Sequence, residues 1–294
     1  MHILYLGIED GYAVRRLTRE SARRRIRFSV LRPEDIALET HHKQRLADVL
    51  VVRTRSPRWI PHALTLAALY HAAGKRVVDA TLGTNLTIYS KLNDSMVLER
   101  HDIAVPRSLL APGSASLFSP RAHHLDYPIV AKAIHGSGGD EVFLVANKKR
   151  LARLLHQYPA GSLMLQEYLP AAFDFRVLVL GYHALPLILK RTPRRGDFRT
   201  NAAFAKDVEA VPLSEFPAIQ KIAEASAQAL KREFTGIDVR IKSGSALDSS
   251  RATSRDFNRG TPYILEVNRQ PEFETFEKNT GLNVAGAFLE YLMQ

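Results

Sequence analysis

Short apolar runs separated by helix-like segments fill the first 80 residues. Four runs predict strands, at residues 2–7, 26–31, 48–53 and 76–79. Two stretches with helical spacing follow the first and third runs, at residues 12–24 and 60–73, the second of which ends at Gly74. Strands that alternate with helices are typical of a doubly wound parallel sheet. The fold class is therefore predicted to be α/β.

From about residue 84 the pattern changes to strands that follow one another with fewer helices between them. Helices are predicted at residues 85–100, 219–232 and 286–292, with another that ends near residue 156. Strands are predicted at residues 128–132, 141–145, 162–168, 175–180, 185–190, 237–241 and 263–267. The runs 175–180 and 185–190 predict a hairpin around Gly181.

The amino-acid composition of the chain excludes several classes of function. With 294 residues, 46% of them hydrophobic, the chain is long enough for a large core and several subdomains. It has no cysteine, which excludes thiol catalysis, cysteine-ligated zinc and disulfides. The apolar start is short for a signal peptide and no apolar stretch is long enough to cross a bilayer. A cytoplasmic protein without a membrane segment is therefore expected.

The net charge is +11, and part of the excess lies in the arginines between residues 15 and 25. A basic surface can attract nucleic acid, anionic membranes or acidic substrates. The alternative is a solvated helix face with no partner, which charge alone does not exclude.

Lysine and glycine combine in the first candidate site. Lys132 ends a predicted strand, and Gly136, Ser137, Gly138 and Gly139 follow it. Glycines allow backbone N–H groups to turn toward phosphate oxygens, and the lysine adds a positive charge. An ordinary hairpin between two strands has the same pattern, so this segment alone leaves both interpretations open.

The second candidate site consists of side chains that offer oxygen atoms as metal ligands. Glu266 and Asn268 are two residues apart on a predicted strand and so lie on one face, and Asp238 lies on an earlier strand. Such hard oxygen donors suit magnesium. The alternative is a carboxylate at a strand end that pairs with a surface arginine.

Arginines beside aspartates form the third set, in Asp174-Phe175-Arg176 and in Asp197-Phe198-Arg199. The planar guanidinium group suits phosphate and carboxylate, and phosphoryl transfer depends on such donors. Each pair taken alone favours a surface ion pair.

Taken in this order, the motifs resemble the ATP-grasp superfamily, and within it the RimK-type ligases that add glutamate to a ribosomal protein. The resemblance covers about three quarters of the chain, from near residue 74 to the end. Its most specific parts are Gly196-Asp197-Phe198-Arg199-Thr200-Asn201 and Glu277-Lys278-Asn279-Thr280-Gly281. Further matching segments are residues 89–92, 128–132, 165–168, 174–176, 236–238 and 266–268, with Pro271.

The resemblance implies an ATP-grasp fold after an N-terminal parallel-sheet domain, divided at residues 1–88, 89–165 and 166–294. It also implies ATP and magnesium, or manganese, and roles for single residues. Lys91 and Lys132 would contact the nucleotide, Glu167 and Tyr168 would hold adenine, and Asp174 would meet the ribose. Asn201 would support the triphosphate, and Arg176 and Arg199 would stabilise the transferred phosphoryl group. Asp238, Glu266 and Asn268 would bind the metal.

At three places the sequence departs from the family pattern, and these departures limit which residue roles can be inferred from the resemblance. Glu141 replaces a glycine and would repel a triphosphate if its carboxylate faced it. Arg269 to Glu272 replace small residues beside the substrate pocket, which puts substrate specificity in doubt. The interval between Asp238 and Glu266 is long, and residues 242–262 are interpreted as a surface insertion.

The expected activity is ATP-dependent amide formation through an acyl phosphate, adding an amino acid such as glutamate to an acceptor that bears an amine or carboxylate, for example a protein tail. One alternative is a small-molecule ligase of the same superfamily. Another is a non-catalytic module that binds a nucleotide or nucleic acid, which the full ligand set disfavours. Related ligases often self-associate, so a homo-oligomer is compatible with the resemblance.

Overall fold

A parallel sheet forms the N-terminal part of the chain, which the computed structural model describes over residues 1–8, 10–38, 46–54, 56, 58–84, 89–135, 141–200, 205–242 and 260–294. Its strands are β1 (His2–Leu6), β2 (Arg27–Leu31), β3 (Val49–Val52) and β4 (Arg76–Val78), in the order β2-β1-β3-β4. Helices α1 (Tyr12–Arg23) and α2 (Ile60–Ala72) follow β1 and β3. The predicted parallel α/β unit is confirmed.

A second, antiparallel sheet lies between residues 108 and 167. It contains β5 (Ser108–Leu110), β6 (Ile129–Ala133), β7 (Val142–Val145) and β8 (Leu163–Glu167), in the order β5-β8-β6-β7. The helices of this region are α3 (Lys91–Glu99), α4 (Pro120–His123) and α5 (Lys148–Gln157). Helix α5 buries Leu151 and Leu154 against this sheet, in one cluster with Ile129 and Val145.

The third sheet holds the C-terminal part. Its strands are β9 (Asp174–Leu180), β10 (His183–Ala184), β11 (Leu187–Pro193), β12 (Ala205–Pro212), β13 (Phe234–Lys242) and β14 (Thr261–Asn268). The order is β12-β11-β9-β13-β14, and β10 pairs with β9. The helices are α6 (Pro217–Ala229), α7 (Glu274–Thr280) and α8 (Val284–Met293). Eight of the nine residues of β13 are buried, because both neighbouring strands and helix α6 cover it.

Helix α1 packs on the C-terminal helices and joins the first sheet to the third. Arg16 Nε lies 2.7 Å from Glu277 Oε2, and Arg24 Nη2 lies 2.6 Å from Glu290 Oε1. Two of the arginines between residues 15 and 25 therefore act in tertiary contacts and are not free on a solvated face. The boundaries predicted at residues 88 and 165 stay predictions.

The helix predicted over residues 85–100 begins later, at Lys91. The Ser90 side chain accepts a hydrogen bond from the backbone N–H of Asn93 and caps the helix there. Residues 85–88 lie outside the described part of the chain. Within the described residues, no helix combines the length and apolar composition needed to cross a bilayer.

Candidate active site

Three neighbouring strands of the third sheet carry the candidate chemistry. In the backbone register, Asp238 of β13 lies opposite Arg176 of β9 on one side and opposite Glu266 of β14 on the other. Asn268 follows Glu266 by two residues and lies on the same strand face. Three of the predicted site residues thus meet across the sheet through strand pairing.

A buried ion-pair network surrounds Arg191, which is only 3% exposed. Its Nε and Nη2 donate to Asp174 Oδ1 and Oδ2, both at 2.8 Å, and Nη2 also lies 2.6 Å from Asp238 Oδ1. The Thr200 hydroxyl donates to Asp174 as well. Burial alone would raise the pKa of Asp174, but Arg191 and these hydrogen bonds outweigh it and hold that pKa below its ordinary value. Asp174 is therefore ionised and firmly held.

Arg176 is committed to the same network. Its Nε lies 2.7 Å from Asp238 Oδ1, and its Nη2 donates to Asp238 Oδ2 at 3.0 Å. Asp238 therefore receives two guanidinium groups, Arg176 and Arg191, and forms the centre of a fixed charge array.

Glu266 faces two lysines. Lys91 Nζ lies 3.6 Å from Glu266 Oε1, and the Glu266 side chain is 31% exposed. Burial opposes ionisation, but Lys91, Lys132 and Arg176 together hold the pKa of Glu266 below its usual range. Burial lowers the pKa of Lys132 to about 8, assisted by the nearby positive charges of Lys91 and Arg240.

Two cavities meet at Glu266. The first cavity, of about 90 Å³, is lined among others by Lys132, Glu167, Tyr168, Asp174, Arg199, Asp238, Arg240 and Glu266. The second cavity, of about 310 Å³, is lined among others by Ile60, Tyr89, Lys91, Asp94, Arg232, Glu266, Asn268 and Arg269. A carboxylate common to both cavities can influence groups bound in either of them.

Most of the predicted site residues that the structure describes line one of these cavities. Lys91 and Asn268 line the second cavity rather than the first. Arg176 lines neither cavity and pairs with Asp238 in the ion-pair network. Glu141 is absent from the described lining of both cavities, although Val142 lines the first. The predicted residues Gly136, Ser137, Gly138, Gly139 and Asn201, and most of the insertion at 242–262, lie outside the described residues.

The carboxylate of Glu167 is occupied by contacts with other protein groups. Glu167 Oε1 lies 2.8 Å from Lys242 Nζ, and Oε2 accepts a hydrogen bond from the backbone of Arg107. Tyr168 packs edge to face on Phe198, with ring centroids 6.1 Å apart.

The proposed metal ligands supply oxygen only. Among the described residues, no group of three His, Cys, Asp or Glu side chains could hold a metal ion. The set Asp238, Glu266 and Asn268 has two carboxylates and one amide, which suits magnesium when phosphate oxygens complete the shell. In this structure Arg176 and Arg191 pair with Asp238, and Lys91 pairs with Glu266, so a metal ion would share these oxygens with the basic groups. The donor types themselves fit magnesium.

Arg191 and Arg240 belong to the site although sequence reasoning did not single them out. Arg240 is 6% exposed, and its Nη1 and Nη2 donate to the backbone carbonyls of Leu169 at 2.9 Å and Phe198 at 3.4 Å. It thereby ties two walls of the first cavity together. Its position two residues after Asp238, on the same strand face, was the available signal.

The resemblance implies that Lys132 contacts the nucleotide, and the lowered pKa of Lys132 then predicts a pH dependence of nucleotide binding. Below pH 8 the Lys132 amine is charged and would attract phosphate, and above pH 8 it loses that charge. We expect the affinity for magnesium-ADP to fall about 10-fold between pH 7 and pH 9.5, the loss of one charged hydrogen bond. Isothermal titration calorimetry across this range measures it.

The matched control is Lys132→Arg, since arginine stays charged throughout. Its affinity should be nearly flat over the same range. An equal decline in both proteins would show that another group causes the pH dependence.

Comparison with known proteins gives a sequence match over most of the chain. The sequence model described as the RimK-like ATP-grasp domain matches residues 89–292. A probable alpha-L-glutamate ligase 2 of Shewanella amazonensis is 30% identical over 169 residues, which is 56% of this chain and 50% of that protein. A ribosomal protein bS6–L-glutamate ligase of Escherichia coli is 28% identical over the same shares. The chain thus spans about half the length of these two relatives.

Solved structures share the fold across nearly the whole chain. The ATP-grasp ligase PsnB, in complex with a variant of its minimal precursor, Mg and ADP, aligns with a TM-score of 0.73 at 18% identity, covering 99% of this chain and 97% of that one. A D-alanine–D-alanine ligase of Bacillus anthracis aligns with a TM-score of 0.63 at 13% identity, covering 100% and 96%. At these identities the likeness shows the fold alone.

Proposed function

Because the chain belongs to the RimK-like ATP-grasp family over residues 89–292, we propose that it is an ATP-dependent carboxylate–amine ligase. The observation that carries this proposal is the position of Glu266 where two cavities meet, with Lys91 and Lys132 beside it. One cavity can then hold the nucleotide and the other the reacting substrates, with the phosphoryl group transferred between them.

In this proposal the nucleotide occupies the first cavity. Lys132 and Arg199 bind phosphate oxygens, the segment Glu167–Tyr168 holds adenine, and Asp174 contacts the ribose. Lys91 approaches the terminal phosphate from the second cavity. The Gly136–Gly139 loop and Asn201 are proposed to complete the phosphate site. At about 90 Å³ the first cavity is smaller than typical ligand pockets of about 300–1,000 Å³, so nucleotide binding requires this cavity to widen.

Asp238, Glu266 and Asn268 would hold magnesium, or manganese, against the phosphates. The metal, when bound, neutralises the charge that develops on the phosphate oxygens. Arg176 and Arg191 fix the orientation of the Asp238 carboxylate by their hydrogen bonds, so this ligand is in place before the substrates arrive.

The proposed reaction has two steps. A carboxylate oxygen of one substrate attacks the γ-phosphorus of ATP, the bond to the β,γ-bridging oxygen breaks, and ADP leaves. The nitrogen of the amine substrate then attacks the acyl phosphate carbon, inorganic phosphate leaves, and the nitrogen loses its proton to solvent. Lys91, Lys132 and Arg199 stabilise the charge of the transferred group by positioning and electrostatics, which is the main source of catalysis in phosphoryl transfer.

For the substrates, we propose glutamate and a protein or peptide acceptor. The support is the naming of relatives as glutamate ligases, one of which acts on ribosomal protein bS6, and the precursor peptide bound by PsnB. The test is mass spectrometry of acceptors from a cell extract after incubation with ATP, magnesium and glutamate. A ladder of added glutamate masses on a protein is expected, and a single small-molecule amide would contradict the protein acceptor.

A further inference from the structure

The wall of the second cavity carries more positive than negative side chains. Among the described residues that line it, three have basic side chains, Lys91, Arg232 and Arg269, and two have carboxylates, Asp94 and Glu266. Lys91 is paired with Glu266, and Arg232 Nη2 lies 2.7 Å from Asp94 Oδ1. Both of these ion pairs have both partners on the cavity wall, so each is close to neutral for a bound ligand.

Arg269 differs because its counterion lies behind the wall. Its Nη1 is 2.9 Å from Asp79 Oδ2, and Asp79 is 0% exposed and does not line the cavity. The opposing charge is thus farther from a ligand than the guanidinium group is. Among the described lining residues, Arg269 accounts for the one positive charge without a partner on the wall.

The Arg269 side chain is held rigidly. Its guanidinium carbon lies 5.4 Å from the centre of the Tyr89 ring, and its backbone carbonyl accepts a hydrogen bond from Arg53 Nη1 at 3.1 Å. Between described residues, the guanidinium group makes one hydrogen bond, through Nη1. A guanidinium has five N–H donors in a planar fork, so donors remain for a ligand carboxylate.

We infer that Arg269 binds the side-chain carboxylate of an acidic amino acid substrate in the second cavity and thereby selects it over neutral amino acids. This inference rests on the proposed ligase function and adds its specificity residue. A free glutamate carries one net negative charge, which matches the one excess positive charge of the wall. The cavity volume of about 310 Å³ accommodates an amino acid next to Glu266.

The test compares glutamate with glutamine, which has nearly the same shape but no side-chain charge. With a dialysed cell extract as the source of acceptor, ADP release by the wild type should show a lower KM for glutamate than for glutamine. Arg269→Gln should raise the KM for glutamate about 10- to 100-fold, the worth of a charged hydrogen bond, with little change for glutamine. The kcat with saturating glutamate should change little, because the phosphoryl-transfer groups are untouched.

Two further variants separate binding from folding. Arg269→Gln leaves the buried Asp79 without its ion pair, so the double variant Asp79→Asn, Arg269→Gln removes both charges and should show the same loss of preference. The matched control is Arg76→Gln, because Arg76 also pairs with a carboxylate, Glu233, and stacks on a tyrosine ring, Tyr291, outside both cavities. This variant should keep the preference for glutamate.

Thermal shift of each protein with magnesium-ADP and either amino acid provides a second readout that does not depend on turnover. Stabilisation by glutamate that disappears in Arg269→Gln and in the double variant supports the inference. A preference for glutamate that persists in the double variant overturns the inference alone. A wild type that neither turns over nor is stabilised with any amino acid overturns the proposed function with it.

Discussion

Replacing Glu266 with glutamine is expected to lower magnesium-dependent ADP release about 100- to 1,000-fold, the usual cost of losing one preorganised electrostatic contact at such a centre. The substitution keeps the size of the side chain and removes its charge. It leaves Lys91 without its ion-pair partner and leaves Lys132 facing a neutral group. It would also remove one of the two carboxylates that we propose for the metal.

The measurement is a coupled assay of ADP release at saturating ATP, magnesium and substrates. Glu290→Gln is the control, since the Glu290 side chain is 60% exposed, pairs with Arg24 and lines neither cavity. That variant should keep wild-type rates. Full activity in Glu266→Gln would show that the reacting groups do not lie at this junction of cavities.

Arg191→Met is expected to lower the free energy of unfolding by about 3–5 kcal/mol, because it leaves buried carboxylates without their shared cation. Asp174 is 2% exposed and Asp238 8% exposed, so water cannot replace the guanidinium group. Arg176 still compensates Asp238, and the largest uncompensated charge is therefore on Asp174. Urea denaturation followed by circular dichroism measures the change.

The neighbouring residue Lys190 provides the control for Arg191→Met. Lys190 Nζ lies 3.7 Å from Glu209 Oε2, and the two side chains are 30% and 66% exposed, so Lys190→Met should cost less than about 1 kcal/mol. Adding Asp174→Asn to Arg191→Met should restore part of the lost stability, since it removes the orphaned charge. Equal losses in the Lys190 and Arg191 variants would contradict the role of burial.

The strands of the three sheets were largely predictable because most of them are apolar runs bounded by turn residues. Strand β13, with eight of nine residues buried, is the clearest case. Strand β12 was missed because it lies at a sheet edge, where Lys206, Asp207 and Glu209 are exposed and none of its residues is fully buried. An edge strand buries too little apolar surface to show a strong pattern.

The site residues were predictable where sequence spacing alone fixes a shared face, as for Glu266 and Asn268. Arg191 was not predictable in this way, since Lys190-Arg191-Thr192 resembles an ordinary charged strand end. Its importance depends on the register between β11 and β9, which places Arg191 opposite Asp174. Register between distant strands is a tertiary property, and local sequence does not encode it.

The two cavities also depend on tertiary structure. The second cavity takes residues from helix α2, from helix α3 and from β14, which are far apart in sequence. The sequence could indicate that residues 269–272 depart from the family pattern. It could not show that Arg269 lies on a cavity wall with its counterion Asp79 buried behind it.

The most direct test of the central claim is ADP release with magnesium, ATP and pooled amino acids, with and without a cell extract as the source of acceptor. We expect turnover that requires glutamate and acceptor together and is lost in Glu266→Gln. Tight binding of magnesium-ATP with no turnover in any mixture would contradict it and would indicate a protein that binds the nucleotide without using it.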